Sequence, residues 1–278
     1  MERLQAAIEK ARAQREDRGA KNAITAPASR PAPDPAQTEA IEAIWLALPE
    51  IQLRRGLLHR KRVVAFQSGP AAAPYDILRT RLMQQAQTNG WRRIAVVSPH
   101  SGTGKTTTTA NLAFGLARQR NIRSVIMDTD LRRSGLGRLL GQKGHIPMSD
   151  VLEGQVPFSD IARRYGKNLI FGLGFGIAQN PSEVLQSVQT REVLKEIEAT
   201  YAPDFMIFDM PPLSAGDDNL GFLTQVDAAI IVVEAGKTNM TQIDVAERQV
   251  AELTNVMGII LNKCRYMSVA YGHEEGYY

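Results

Sequence analysis

From about residue 90 onward the chain alternates short apolar runs with longer helical stretches. The runs cover residues 94–98, 124–127, 168–171, 205–208, 228–233 and 258–261. Each has strand length, is rich in Val and Ile, and lacks the apolar–polar alternation of a half-exposed strand. A strand that is apolar on both sides needs helices on both sides. The pattern therefore predicts an α/β domain, a mostly parallel sheet covered on both faces.

Upstream the pattern is different. Residues 1–25 read as a charged helix whose apolar stripe is only Leu4, Ile8 and Ala11. So thin a stripe leaves two readings open, a solvated helix or one that docks on a partner. Residues 26–37 hold Pro27, Pro31, Pro33 and Pro35, which forbid helix and read as a linker. Residues 38–62 form a helical and basic segment, apolar over 40–53 and then carrying Arg54, Arg55, His59, Arg60, Lys61 and Arg62. This cluster is either solvated or set against anionic lipid. Residues 63–265 are the expected main domain, and 266–278 a flexible tail.

Composition narrows the class. The chain has 278 residues, 44% of them hydrophobic and 22% charged, which is ordinary globular usage. No apolar run approaches a bilayer span, and the start lacks the apolar core of a secretory signal. One cysteine, Cys264, excludes an internal disulfide. A soluble protein of the reducing cytoplasm is expected. The formal charge of +4 arises wholly in residues 1–62, which carry 12 Lys and Arg against 8 Asp and Glu. A nucleic-acid binder concentrates its positive charge on one face and adds a reading motif; this extension mixes both signs, so no nucleic-acid partner is expected.

The strongest local signal is Ser98-Pro-His-Ser-Gly-Thr-Gly-Lys-Thr-Thr107, between the first apolar run and a helical stretch. That context is what a phosphate loop requires. Gly102 and Gly104 let the backbone curl so that amides around Ser101, Thr103 and Thr107 point at phosphate oxygens. The helix N-terminus adds its positive end. Lys105 suits the β and γ phosphates of ATP, and Thr106 suits Mg²⁺. Pro99 stands where the general pattern has its leading glycine. Two further motifs end on acids: Val125-Ile-Met-Asp-Thr-Asp-Leu-Arg-Arg133 supplies Asp128 and Asp130, and Phe205-Met-Ile-Phe-Asp-Met-Pro-Pro212 supplies Asp209. Carboxylates at the carboxyl ends of parallel strands lie where open α/β sheets bind ligands. Asp128 and Asp130, two residues apart, project to one side of an extended chain.

Together these motifs resemble the Walker A, A′ and B motifs of the bacterial tyrosine kinases of capsule and exopolysaccharide synthesis, P-loop ATPases related to the septum-site and partitioning ATPases. Residues 176–185, Asp218, residues 234–238 and residues 261–263 extend the resemblance over about 63–266. It implies that Lys105 and Thr106 are the phosphate and magnesium residues, that Asp128 takes the proton from the acceptor tyrosine, and that Asp130 and Asp209 surround the magnesium. Asn262 matches an adenine contact, although a strand-end turn suits a lone Asn equally well. The acceptors would be Tyr266, Tyr271, Tyr277 and Tyr278. The implied activity is ATP-dependent autophosphorylation regulating polysaccharide polymerisation and export. The implied partners are other copies of the chain and the cytoplasmic segment of a membrane polysaccharide co-polymerase, which acts as activator at the inner face of the cell membrane. The alternative is an ATP-dependent binding switch that does not phosphorylate tyrosine.

Three positions depart from related patterns. The Glu-x-x-Arg-x-x-Arg helix that builds the kinases' ring corresponds to Ala73 through Arg79, with Ala73 for the glutamate and Asp76 for the first arginine. An aspartate there breaks an arginine-mediated contact or demands a different partner charge. His100 stands where partitioning ATPases carry a signature lysine, which argues against that branch.

Overall fold

The computed structural model describes residues 35–264. Within it, α1 (Pro35–Ala47), α2 (Arg55–Arg60) and α3 (Ala73–Asn89) precede β1 (Arg93–Val97). There follow α4 (Lys105–Ala117), β2 (Ser124–Asp128), α5 (Gly135–Leu139), α6 (Met148–Leu152), α7 (Phe158–Ile161), β3 (Ala162–Tyr165) and β4 (Leu169–Gly172). The chain continues through α8 (Pro181–Gln186), α9 (Val188–Tyr201), β5 (Phe205–Asp209), α10 (Asp218–Leu223), β6 (Ala228–Glu234), α11 (Met240–Ala251) and β7 (Asn255–Asn262). The expected N-terminal helix and residues 26–34 of the Pro-rich linker lie outside the described residues, as do all four tail tyrosines; residues 35–37, expected to end the linker, instead open α1, because proline is tolerated in the first turn of a helix.

The strands form one seven-stranded sheet in the order β3-β4-β2-β5-β1-β6-β7, parallel except for the β3–β4 pair. Each of the six apolar runs overlaps a strand. The strands β2, β5 and β6 are buried along their whole length. Two apolar clusters flank the sheet. One contains Trp45, Met127, Phe208 and Phe222, and the other Ile94, Phe114, Ile126 and Phe171. This is the α/β architecture that two-sided apolar strands require.

The segment before the sheet is packed into the same core. Trp45 is fully buried and donates from its indole nitrogen to the Tyr201 carbonyl at 2.8 Å. Glu50 then bridges Arg164, where the Ile51 amide donates to the Arg164 carbonyl at 2.8 Å. The chain thereby covers the open side of β3, which protects that edge from unwanted pairing. Leu58 and Val63 enter the second cluster.

Candidate functional site

The order β2-β5-β1 places three strand ends side by side. In register, Asp128 pairs with Asp209 across β2 and β5, and Val96 pairs with Asp209 across β5 and β1. The loop that leaves β1 therefore passes over the two aspartates. Both glycines of that loop adopt the left-handed region, φ +86° at Gly102 and +93° at Gly104, where a side chain is strained. Gly104 also fills the last position before α4. A β-carbon there would lie 2.2 Å from the Asn262 amide nitrogen, so the position is closed sterically as well.

Lys105, the first residue of α4, is buried, and its Nζ lies 3.0 Å from Asp209 Oδ1. Thr109, one turn on, donates to the same oxygen at 3.2 Å. Asp128 Oδ2 accepts from the Leu136 amide at 2.8 Å. Thr106 faces the loop after β2, where a β-carbon on Gly135 would sit 3.7 Å from its hydroxyl oxygen. The structure thus brings Lys105, Thr106, Asp128, Asp130 and Asp209 to one end of the sheet. Ser101 and Gly102 lie exposed at the rim of the loop, Thr103 is buried, and Thr107 is half-buried on the first turn of α4.

The electrostatics of this centre are incomplete. Asp128 Oδ1, Asp130 Oδ1 and Asp209 Oδ2 are all buried and lack a hydrogen-bond partner among the described residues. Burial pushes the Asp128 carboxyl well above the ordinary range, and the neighbouring Asp209 adds to the shift. Burial also raises Asp130, while the Lys105 ammonium partly opposes it. Three acids around one lysine leave a deficit of positive charge, which a divalent cation would fill. Among the described residues no three His, Cys, Asp or Glu side chains group into a self-sufficient metal site. Mg²⁺ is a cation of this kind, since it keeps waters and takes one or two carboxylates together with substrate phosphates.

Beside this centre sits a second acidic pair that is fully engaged. Arg132 grips Asp218 through Nε–Oδ2 at 2.6 Å and Nη2–Oδ1 at 2.9 Å. The Ser182 hydroxyl lies 2.5 Å from Asp218 Oδ1 and 2.6 Å from Asp217 Oδ1. The sequence marks Asp218 and the segment around Ser182 only by resemblance. Contact among the loop after β2, α8 and α10 is what makes them a clamp, and only the Arg-Arg that follows Asp130 hints at it.

Asn262, at the end of β7, donates its amide to the Thr103 carbonyl at 2.8 Å, and its Oδ1 accepts from the Lys263 amide at 2.8 Å. His100 shares a 3.0 Å hydrogen bond between Nε2 and the Thr238 hydroxyl. On α3, Asp76 finds its counter-charges within the chain, pairing with Arg79 at 3.0 Å and with Arg118.

With this geometry in place, the comparisons with known proteins can be set beside it. The family model ParA, described as NUBPL iron-transfer P-loop NTPase, matches residues 91–278. Among curated relatives, a tyrosine-protein kinase CpsD of Streptococcus agalactiae is 25% identical over 206 residues, 73% of this chain and 88% of that protein. The tyrosine-protein kinase YwqD of Bacillus subtilis is 26% identical over 216 residues, 76% of this chain and 90% of that protein. Among solved structures, the kinase domain of the Escherichia coli tyrosine kinase ETK superposes with a TM-score of 0.65 at 24% identity. It covers 75% of this chain and 82% of that domain.

Proposed function

The chain belongs to the ParA family of P-loop NTPases, and from that premise we propose that it is an ATP-dependent, autophosphorylating protein tyrosine kinase that regulates exopolysaccharide or capsule polymerisation and export. The observation that carries the proposal is Asp128: a buried carboxylate, raised in pKa and free on one oxygen, beside the Lys105–Asp209 pair of a phosphate loop. Phosphoryl transfer needs positioning and charge neutralisation more than covalent chemistry. The similarity to the tyrosine-protein kinases CpsD and YwqD supports the kinase reading.

In this reading the amides of the phosphate loop cradle ATP, and Lys105 turns from Asp209 to the β and γ phosphates. Thr106, Asp130 and Asp209 are the residues that would hold Mg²⁺. Bound there, the ion would supply positive charge against the phosphates. Asp128 takes the phenolic proton as the tyrosine oxygen attacks the terminal phosphorus. The bond to the β–γ bridging oxygen breaks, and ADP leaves. A carboxyl held above its ordinary value is the better base for so weakly acidic a group. The acceptors are Tyr266, Tyr271, Tyr277 and Tyr278, presented to a neighbouring copy, and Asn262 lies at the nucleotide's edge.

No helix among the described residues is long and apolar enough to cross a membrane. The activator in this reading is the cytoplasmic segment of a membrane polysaccharide co-polymerase. Recruitment to the inner face of the membrane is aided by Arg54, Arg55, His59, Arg60, Lys61 and Arg62. All six are exposed, and the five Lys and Arg side chains form no ion pair among the described residues. The test is intact-mass and peptide mass spectrometry of the chain and its Lys105→Met variant, each expressed with the activator segment. Phosphate on the tail tyrosines that vanishes in the variant is expected. A bare tail in the unaltered chain would favour the binding-switch alternative.

A further inference from the structure

The strand ends of β6 and β7 form a bracket around the outside of the phosphate loop, built from residues that belong to none of its three motifs. In register, Glu234 pairs with Asn262 across the two strands. The buried Glu234 carboxylate splits between two lysines, with Oε1 2.8 Å from Lys237 and Oε2 3.1 Å from Lys263. Both ammonium groups hold it below the usual carboxylate range. Lys263 reaches onward and donates from Nζ to the Gly102 carbonyl at 2.6 Å. Its neighbour Asn262 donates to the next carbonyl, Thr103, at 2.8 Å. Thr238 completes the bracket: its hydroxyl oxygen accepts from the Glu234 amide at 3.0 Å and shares a 3.0 Å hydrogen bond with His100 Nε2.

The direction of these bonds matters. A phosphate loop works by turning its amides inward, which obliges its carbonyls to face outward. Outward carbonyls over a run of glycines are mobile unless something holds them. Here two consecutive carbonyls are each held by a side-chain donor, one of them cationic. Lys263 itself adopts φ +60°, a conformation disfavoured for a residue with a β-carbon. Only a compensating contact sustains that strain, and the ammonium bridge from Glu234 to Gly102 supplies one.

We propose that Lys263, anchored by Glu234, is a positioning residue that sets the curvature of the phosphate loop and thereby its affinity for phosphate. The proposal rests on the nucleotide-binding reading above. It assigns Lys263 to the loop's carbonyls rather than to the base or the phosphates of the ligand.

The test is calorimetric titration of the full chain with Mg-ATP and, separately, with inorganic tripolyphosphate, which has no base to recognise. Lys263→Met should raise both dissociation constants by about tenfold, the size of one lost charge-assisted hydrogen bond. Glu234→Gln should raise both by about threefold, and Lys263→Arg should restore most of the affinity. Thermal melts without ligand should show each variant fully folded at the temperature of the titration, so that a loss of affinity is not a loss of fold. Unchanged affinity in Lys263→Met would overturn the proposal. So would a loss confined to ATP, since that would make Lys263 a contact to the base. An unaltered chain that binds neither ligand would instead overturn the nucleotide reading, and the proposal with it.

Discussion

Two acidic clusters lie at the same end of the sheet, and they are built in opposite ways. Around Asp218 every carboxylate oxygen is met, two by the Arg132 fork and one also by Ser182. Around Asp128 three buried oxygens on three acids meet no hydrogen-bond partner among the described residues. Asp128 and Asp218 are both buried, so burial of the carboxylate does not separate them. The difference is satisfaction: a paired buried charge holds structure together, whereas an unpaired one costs stability unless a ligand completes it. The contrast separates a contact that fastens the loop after β2 to α10 from a centre whose charge is left unbalanced.

Opposite construction implies opposite responses to mutation. The largest effect is expected from Asp128→Asn, which keeps the acceptor for the Leu136 amide and removes the charge. Phosphoryl transfer should fall by about a hundredfold or more, as for loss of a general base, while nucleotide binding stays within a few fold. The same variant should be more stable than the unaltered chain in the absence of nucleotide. The sign follows from the raised carboxyl of the folded state. Below the ordinary aspartate value of about 3.9 both states are protonated and nothing is gained. As the pH rises from there toward the raised folded-state value, the unfolded chain ionises while the folded chain holds its proton, so the unaltered chain loses stability that the variant keeps. Melting curves across pH 3 to 8 would check this, and a variant less stable than its parent at neutral pH would erase the contrast.

Arg132→Ala probes the other cluster, and its effect should fall on stability. Asp218 is then left buried without its counter-charge. A fully buried pair broken on one side costs about 3–5 kcal/mol. The Arg132 side chain is 43% exposed, so about 2 kcal/mol is expected, or roughly 5 °C in melting temperature. Nucleotide affinity should change less than threefold. A large loss of affinity with little loss of stability would show that the two clusters act as one. The smallest effect is expected from Asp76→Ala. That ion-paired aspartate is partly exposed, and its removal should cost under about 1 kcal/mol by chemical denaturation.

The apolar runs made most of the sheet legible because two-sided burial leaves its mark on every residue of a strand. The seventh strand, β3, left no such mark. It is Ala-Arg-Arg-Tyr, half-buried, antiparallel, and held by β4 on one side and by the Glu50–Ile51 segment on the other. Its pairing is a property of its neighbours. Trp45 is similar: its sequence surroundings read only as apolar enough to pack on something, and the tertiary partner is the far end of α9.

The candidate centre divides along the same line. Glycines, a lysine and threonines at fixed spacing announce a phosphate loop, because its geometry is local and only certain residues tolerate it. Aspartates at strand ends announce acids near a ligand. Their mutual distances, the three unmet oxygens, the Arg132–Asp218 clamp and the bracket of Glu234, Asn262 and Lys263 are set by strand order, which brings residues over a hundred positions apart into contact. Sequence alone determined what is governed by neighbours along the chain: element type, loop conformation and the chemical kind of each group. Only the tertiary structure decided which buried charges are paired and which are left for a ligand, because pairing depends on distances through space that no local pattern encodes.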